Sequence, residues 1–202
     1  MAITSIKTGS SFTNLKKYDS FLAGNPYYIP PSFESIATVN GTGSSSTIVF
    51  SSIPSTYTHL QLRGISRSTT ATTTLFDMEI RLNSDSGNNY SRHMLYGTGA
   101  AVAATGAASQ NTIEVSRQSV PGNSVTSGIM GVTIIDIHDY ASTSKYKTVR
   151  SIGGSDTNGG GSISLASGVW MSTSAINSIT IYGTGSAANF TSTTTFALYG
   201  IK

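Results

Sequence analysis

Residues 128 to 138 read GIMGVTIIDIH, the most apolar run in the chain. Ile129, Met130, Val132, Ile134, Ile135 and Ile137 fall on both alternation phases of an extended strand, so the run calls for cover on both faces. Gly128, Gly131, the β-branched residues and the turn signal at Asp139 favour extended chain over a buried helix. It is therefore expected to be the central strand of the fold.

The neighbouring segments are strands separated by Gly, Ser, Thr and Asn. Residues 33 to 39 alternate, Asn40, Gly41, Thr42 and Gly43 turn the chain, and 47 to 53 pairs back as a hairpin. Residues 57 to 66 form the next strand, with Leu60 and Leu62 on one side and His59, Gln61 and Arg63 on the other. In 75 to 83, Phe76, Met78, Ile80 and Leu82 face a core while Asp77, Glu79 and Arg81 face out. Further strands are expected at 90 to 96, 112 to 117, 145 to 152, 162 to 170, 176 to 182 and 194 to 201. The low-complexity run GTGAAVAATG at 97 to 106 is expected to be a mobile or partner-ordered loop. Short strands at this spacing, with glycine-bearing turns, predict an all-β fold. Residues 33 to 202 are expected to form a jelly-roll-like antiparallel β-sandwich.

Residues 1 to 32 differ in character. Ser11 or Thr13 can cap a short helical turn that carries Leu15, Tyr18, Phe21 and Leu22 on one side, stopped at Gly24 and Asn25. Pro26, Pro30 and Pro31 then make a stiff connector. The segment is expected to be an N-terminal anchoring arm, with Leu15, Lys16, Lys17, Tyr18, Phe21 and Leu22 as its contact set.

Charged residues make up only 10% of the chain, against about a quarter in ordinary soluble proteins. A surface wetted by hydroxyls and amides can pack against copies of itself without desolvating many charges. The net charge of +3 is scattered rather than gathered into a stripe, so nucleic acid is not an expected partner. No apolar run reaches the roughly 20 residues that span a bilayer, and the N-terminus lacks a signal-peptide core, so neither membrane insertion nor export by that route is expected. The absence of cysteine removes thiolate chemistry and disulfides.

Candidate sites are few. Asp77 and Glu79 stand two apart on one strand face, as a glycosidase pair can, but Arg81 continues that face and an ion-pair row accounts for all three. Asn83, Asp85, Asn88 and Asn89 offer oxygens for a cation yet contain a single carboxylate, which points to a hydrogen-bonded turn. Asp136 and His138 share a strand face from which Asp139 is excluded by alternation. His59, His93 and His138 lie on different strands, and no hydrolase, metalloprotease or nucleotide-binding motif is present. No catalytic residue, metal or cofactor is expected, and the chain is expected not to be an enzyme. Trp170 is the candidate carbohydrate contact.

The opening MAITSIKTGSSFTNLKKYDSFLAGN, the segments FSSIPSTYTHLQLRGISR, RLNSDSGNNYSRH and VTIIDIHDYASTSKYKTV, and the ending INSITIYGTGSAANFTSTTTFALYGIK together resemble small structural proteins of tailed bacteriophages. The resemblance implies a non-enzymatic virion protein located in the virion. Together with the arm, it leads us to expect a tail-fibre, neck or adaptor appendage, with other virion proteins (tail, neck or major capsid protein) as partners. A capsid decoration or cement protein is the alternative, and a carbohydrate-binding module, with a host surface glycan as ligand, is a third. By analogy with fibre and decoration proteins, a homo-oligomer is expected, with a trimer favoured.

Overall fold

The computed structural model of the chain describes residues 32–71, 75–184 and 189–202. The anchoring set at Leu15, Lys16, Lys17, Tyr18, Phe21 and Leu22 lies outside them. The described residues form twelve strands: β1 (Phe33–Asn40), β2 (Thr47–Phe50), β3 (His59–Ser66), β4 (Leu75–Leu82), β5 (Tyr90–Gly97), β6 (Val102–Gln110), β7 (Ile113–Pro121), β8 (Gly131–His138), β9 (Lys147–Asp156), β10 (Gly161–Trp170), β11 (Ile179–Gly183) and β12 (Thr195–Ile201).

These strands build an antiparallel β-sandwich. One sheet runs β1-β12-β3-β8-β9-β10-β5-β6 and the other β2-β11-β4-β7. Apart from the step from β8 to β9, the chain alternates between sheets from strand to strand except at two hairpins, β5–β6 and β9–β10, which stay in the larger sheet. Without them, β1-β12-β3-β8 faces β2-β11-β4-β7, the strand order of an eight-stranded jelly roll. The two hairpins extend the larger sheet beyond β8 as a four-stranded wing, ordered β9-β10-β5-β6.

The jelly-roll body has an apolar core because period-two alternation sends its aliphatic residues inward from both sheets. Leu60 and Leu62 of β3, Met78, Ile80 and Leu82 of β4, and Ile135 and Ile137 of β8 are all essentially solvent-free. Each such side chain contributes about 1.5–3 kcal/mol relative to exposure, so the body supplies most of the apolar stabilisation.

Three expectations are corrected. Strands β1 and β2 do not form a hairpin: β1 pairs with β12, and β2 pairs with β11 in the opposite sheet. The turn between them is stitched to the approach to β12 instead, with Gly41 N donating to Thr194 O and Gly43 N to Phe190 O. A Cβ on Gly41 would stand 2.2 Å from Thr191 O, so the backbone approach at this crossover needs glycine. Residues within 97 to 106 are not only a loop, because β6 begins at Val102 and pairs with β5 along its length. Strand β8 is central, between β3 and β9, but is covered on one face only: Ile135 and Ile137 are buried, whereas Val132 is exposed.

Candidate assembly interface

The wing is built unlike the body. On its inner face, under β7, stand Ser151 and Ser155 of β9 and Ser162 and Ser164 of β10, all buried. Their hydroxyls reach across to the backbone of β7: Ser151 Oγ donates to Val115 O, Ser155 Oγ to Gln118 O at 2.7 Å and Ser162 Oγ to Arg117 O at 2.7 Å. Ser164 Oγ accepts from Arg117 N and lies 3.0 Å from Ser116 Oγ. Gly153 sits so close below that an added Cβ would stand 2.3 Å from Ser116 Oγ. A short side chain that satisfies a carbonyl of the opposite sheet brings the layers nearer than aliphatic side chains permit.

Farther out, charge joins the layers. Glu114 of β7 is buried, pairs with Arg92 of β5, and accepts from Arg117 Nε at 2.9 Å. Burial, and next the neighbouring Arg117 charge, push the Arg92 guanidinium down from its ordinary value. Arg117 also lies over the Tyr96 ring, 4.7 Å from its centre.

The outer face of the wing carries the large aliphatic side chains that the serine-lined part of its inner face lacks. Of eleven large hydrophobic side chains exposed among the described residues, eight lie on the outer face of the larger sheet: Phe33 of β1, stacked on Tyr199, and seven aliphatic side chains at 43% to 78% exposure. Registers place the seven in two adjacent cross-strand rows. One row reads Ala104, Leu95, Leu165, Ile152, Ile134 and Arg63 across β6, β5, β10, β9, β8 and β3. The other, over the same strands, reads Val102, Gly97, Ile163, Gly154, Val132 and Ile65. A third row, with His93, Ser167, Arg150, Asp136 and Gln61, is polar, and Gln61 Nε2 donates to Asp136 Oδ1 at 2.6 Å.

A shallow cavity of about 680 Å³ opens on the apolar rows. Met130, Val132, Ile134, Ile152 and Ile163 line it, with glycine-rich backbone at 97–99 and 159–161 around the rim. Asp156 is its one charged lining residue, and no aromatic ring enters it. Such a floor accepts aliphatic groups and offers little to hold a polar ligand.

Trp170 is not placed to bind sugar. It is only 2% exposed, stacks on Tyr90 and donates from Nε1 to Asp85 Oδ2 at 2.7 Å. The ring is therefore a core element, which corrects the carbohydrate expectation. Asp85 also accepts from Asn89 Nδ2 and Gly87 N, and Asn83 Oδ1 accepts from Asn177 N and Ser178 N. The 83–89 loop is thus the expected hydrogen-bonded turn. The Trp170 hydrogen bond, then that of Asn89, holds the Asp85 carboxyl below its usual range, and burial pushes the Tyr90 hydroxyl up to about 12.

The acidic pair is held apart by separate partners. Asp77 Oδ1 accepts from Gln118 N, Glu79 Oε2 from Thr112 Oγ1, and Arg81 donates to Asn111 O and the Tyr182 hydroxyl. Cross-strand hydrogen bonds within the smaller sheet, rather than the expected row of ion pairs, order these three. Glu79 and Arg81 line a second hollow of about 350 Å³ on the smaller sheet. His59 and His138 meet edge to face at 4.9 Å, and His59 Nδ1 accepts from Asp139 N. His93 stands apart, opposite Gly106. Among the described residues, no three His, Asp or Glu side chains are grouped to hold a metal ion.

Comparison of the chain with protein-family models, with curated proteins and with solved structures finds no match. The serine seam and the outer apolar rows are the residues that sequence reading missed. Their signal is the alternation of Ser162, Ile163, Ser164 and Leu165, in which one phase must be buried and the other exposed.

Proposed function

We propose that the chain is a non-enzymatic structural protein of a tailed-bacteriophage virion, an appendage of tail-fibre, neck or adaptor type held through residues 1 to 32. The observation that carries this reading is the outer face of the larger sheet: seven exposed aliphatic side chains in two continuous rows, in a protein with few charges. Contiguous apolar surface of this kind marks an interaction site. The segment resemblance supplies the setting, other virion proteins as neighbours and the virion as location. The carbohydrate-module reading loses its aromatic platform with Trp170 in the core.

Peptide mass spectrometry of gradient-purified particles tests the reading directly. The chain copurifies at a few to a few tens of copies per particle if it is an appendage. Hundreds of copies would make it capsid cement, and absence from particles would overturn the virion reading. Deleting residues 1 to 31 should leave a folded β-sandwich, seen as a cooperative melt, that no longer incorporates.

A further inference from the structure

We infer that the outer face of the larger sheet binds the same face of a second copy of this chain, around a two-fold axis that runs along the strands between β9 and β10. The inference rests on the assembly reading above and specifies its surface and occupant. Across β6, β5, β10, β9, β8 and β3, the second apolar row runs Val102, Gly97, Ile163, Gly154, Val132, Ile65. The two-fold axis reverses that order in the second copy. Ile163 then faces Gly154 of the other copy, Val132 faces Gly97, and Val102 faces Ile65. Each glycine gap receives a branched aliphatic side chain, and the shallow cavity floored by Val132, Ile152 and Ile163 is the hollow these groups enter.

The same reversal suits the other two rows. Leu165 faces Ile152 of the second copy and Leu95 faces Ile134, which buries aliphatic on aliphatic. In the polar row, Arg150 faces Ser167 and Asp136 faces His93, so neither charge meets itself. Aligned sheets pack about 10 Å apart and cross at about 30°, so the pairs beside the axis, Ile163 with Gly154 and Leu165 with Ile152, stay closest to this register.

Area and charge agree with a second copy as occupant. Two rows across six strands cover roughly 400 Å² at ordinary strand spacing. The polar row brings this to roughly 600 Å² per copy, about 1,200 Å² in total, the lower bound of specific interfaces, with an apolar core and a polar rim. Arg63, at the edge, is the one charged residue in the two apolar rows, and Arg150 and Asp136 of the polar row stand opposite each other on neighbouring strands, so the apolar part of the face has no charge that selects an oppositely charged partner. A single face that complements itself closes as an isologous pair, which sets a dimer in place of the trimer expected by analogy.

Sedimentation equilibrium of the full chain at about 50 μM should give a mass of about 42 kDa, twice the 21.0 kDa of one chain. Leu165→Asp, which puts a carboxylate on the dry face of each copy, should weaken association at least about 100-fold while the melt stays cooperative. Val49→Asp, on an exposed site of the smaller sheet, should leave the dimer intact. Because the chain has no cysteine, a cysteine at position 165 should link copies through a short bismaleimide and one at 49 should not, a readout independent of the Asp variant. A monomer at this concentration, a trimer, an undiminished Leu165→Asp dimer, or no link through position 165 overturns the proposal. Copurification with particles is scored separately by peptides, so loss of the dimer and loss of the virion reading are distinct results.

Discussion

In the body, β3 turns Leu60 and Leu62 inward and leaves Gln61 and Arg63 outside; in the wing, β10 turns Ser162 and Ser164 inward and leaves Ile163 and Leu165 outside. Both strands obey the same alternation, so the difference lies in what covers them. The body's inner face meets an apolar sheet at aliphatic spacing. The wing's inner face meets the β7 backbone, whose carbonyls need donors, and serine supplies them at short range. With hydroxyls committed to the inside, the aliphatic phase is left facing away from the protein. Sheets are normally wetted on the face that the core does not use. A wing built the other way round leaves its aliphatic phase open, and that is the face to which the proposed self-association assigns a cover.

The largest expected effect falls on the inner end of β10. Trp170→Ala should cost about 3–5 kcal/mol, read as a shift in denaturation midpoint, because it opens a cavity beside Tyr90 and removes a donor from Asp85. The same carboxylate sets an acid limit. Its folded pKa lies below the unfolded value of about 3.9, so its stabilisation is present above that value and is lost as pH falls through the folded pKa. Melts from pH 6 down to 2 should show this loss in the native chain, and Asp85→Asn should flatten the acid limb. An acid limb unchanged by Asp85→Asn would sever the carboxylate from the Trp170 anchor.

The seam should respond to volume before it responds to hydrogen bonding. Gly153→Val needs space that Ser116 already occupies, and overpacking of this sort costs about 1–3 kcal/mol. Ser151→Ala keeps the close approach but leaves Val115 O without its donor, which should cost about 1 kcal/mol. If Ser151→Ala proved the more damaging, hydrogen bonding rather than proximity would be what holds the wing under β7.

Much of the architecture was legible because it depends on period-two patterning. The separation of Phe76, Met78, Ile80 and Leu82 from Asp77, Glu79 and Arg81 sets β4 without knowledge of its neighbours. The β1–β2 crossover was not legible, since Asn40 to Gly43 has the composition of a hairpin turn and only the proximity of Phe190 and Thr191 reveals its course. Strand β6 was missed because its many Ala and Gly residues carry little strand signal and its pairing with β5 is tertiary. Trp170 was misplaced because its partners, Asp85 and Tyr90, lie some eighty residues away in sequence. The double-faced apolar pattern of β8 is different, since the sequence asks for cover on a face that one copy leaves open.

The smallest effect on the isolated fold is expected on that open face, and there the comparison is sharpest. Ile163 is 63% exposed, so Ile163→Ser should change the stability of a dilute single copy by no more than about 0.5 kcal/mol, the scale of surface substitutions. Ser162, one residue away, points into the seam, so Ser162→Ala should cost about 1 kcal/mol through the loss of its bond to Arg117 O. Concentration separates the two cases. Pairing of copies adds stability only when copies are concentrated enough to associate, so the native chain should melt higher at high protein concentration, and Ile163→Ser should lose that rise while Ser162→Ala keeps it. A melting temperature of the native chain that does not change with concentration would mean that the aliphatic phase of β10 is not used for self-association.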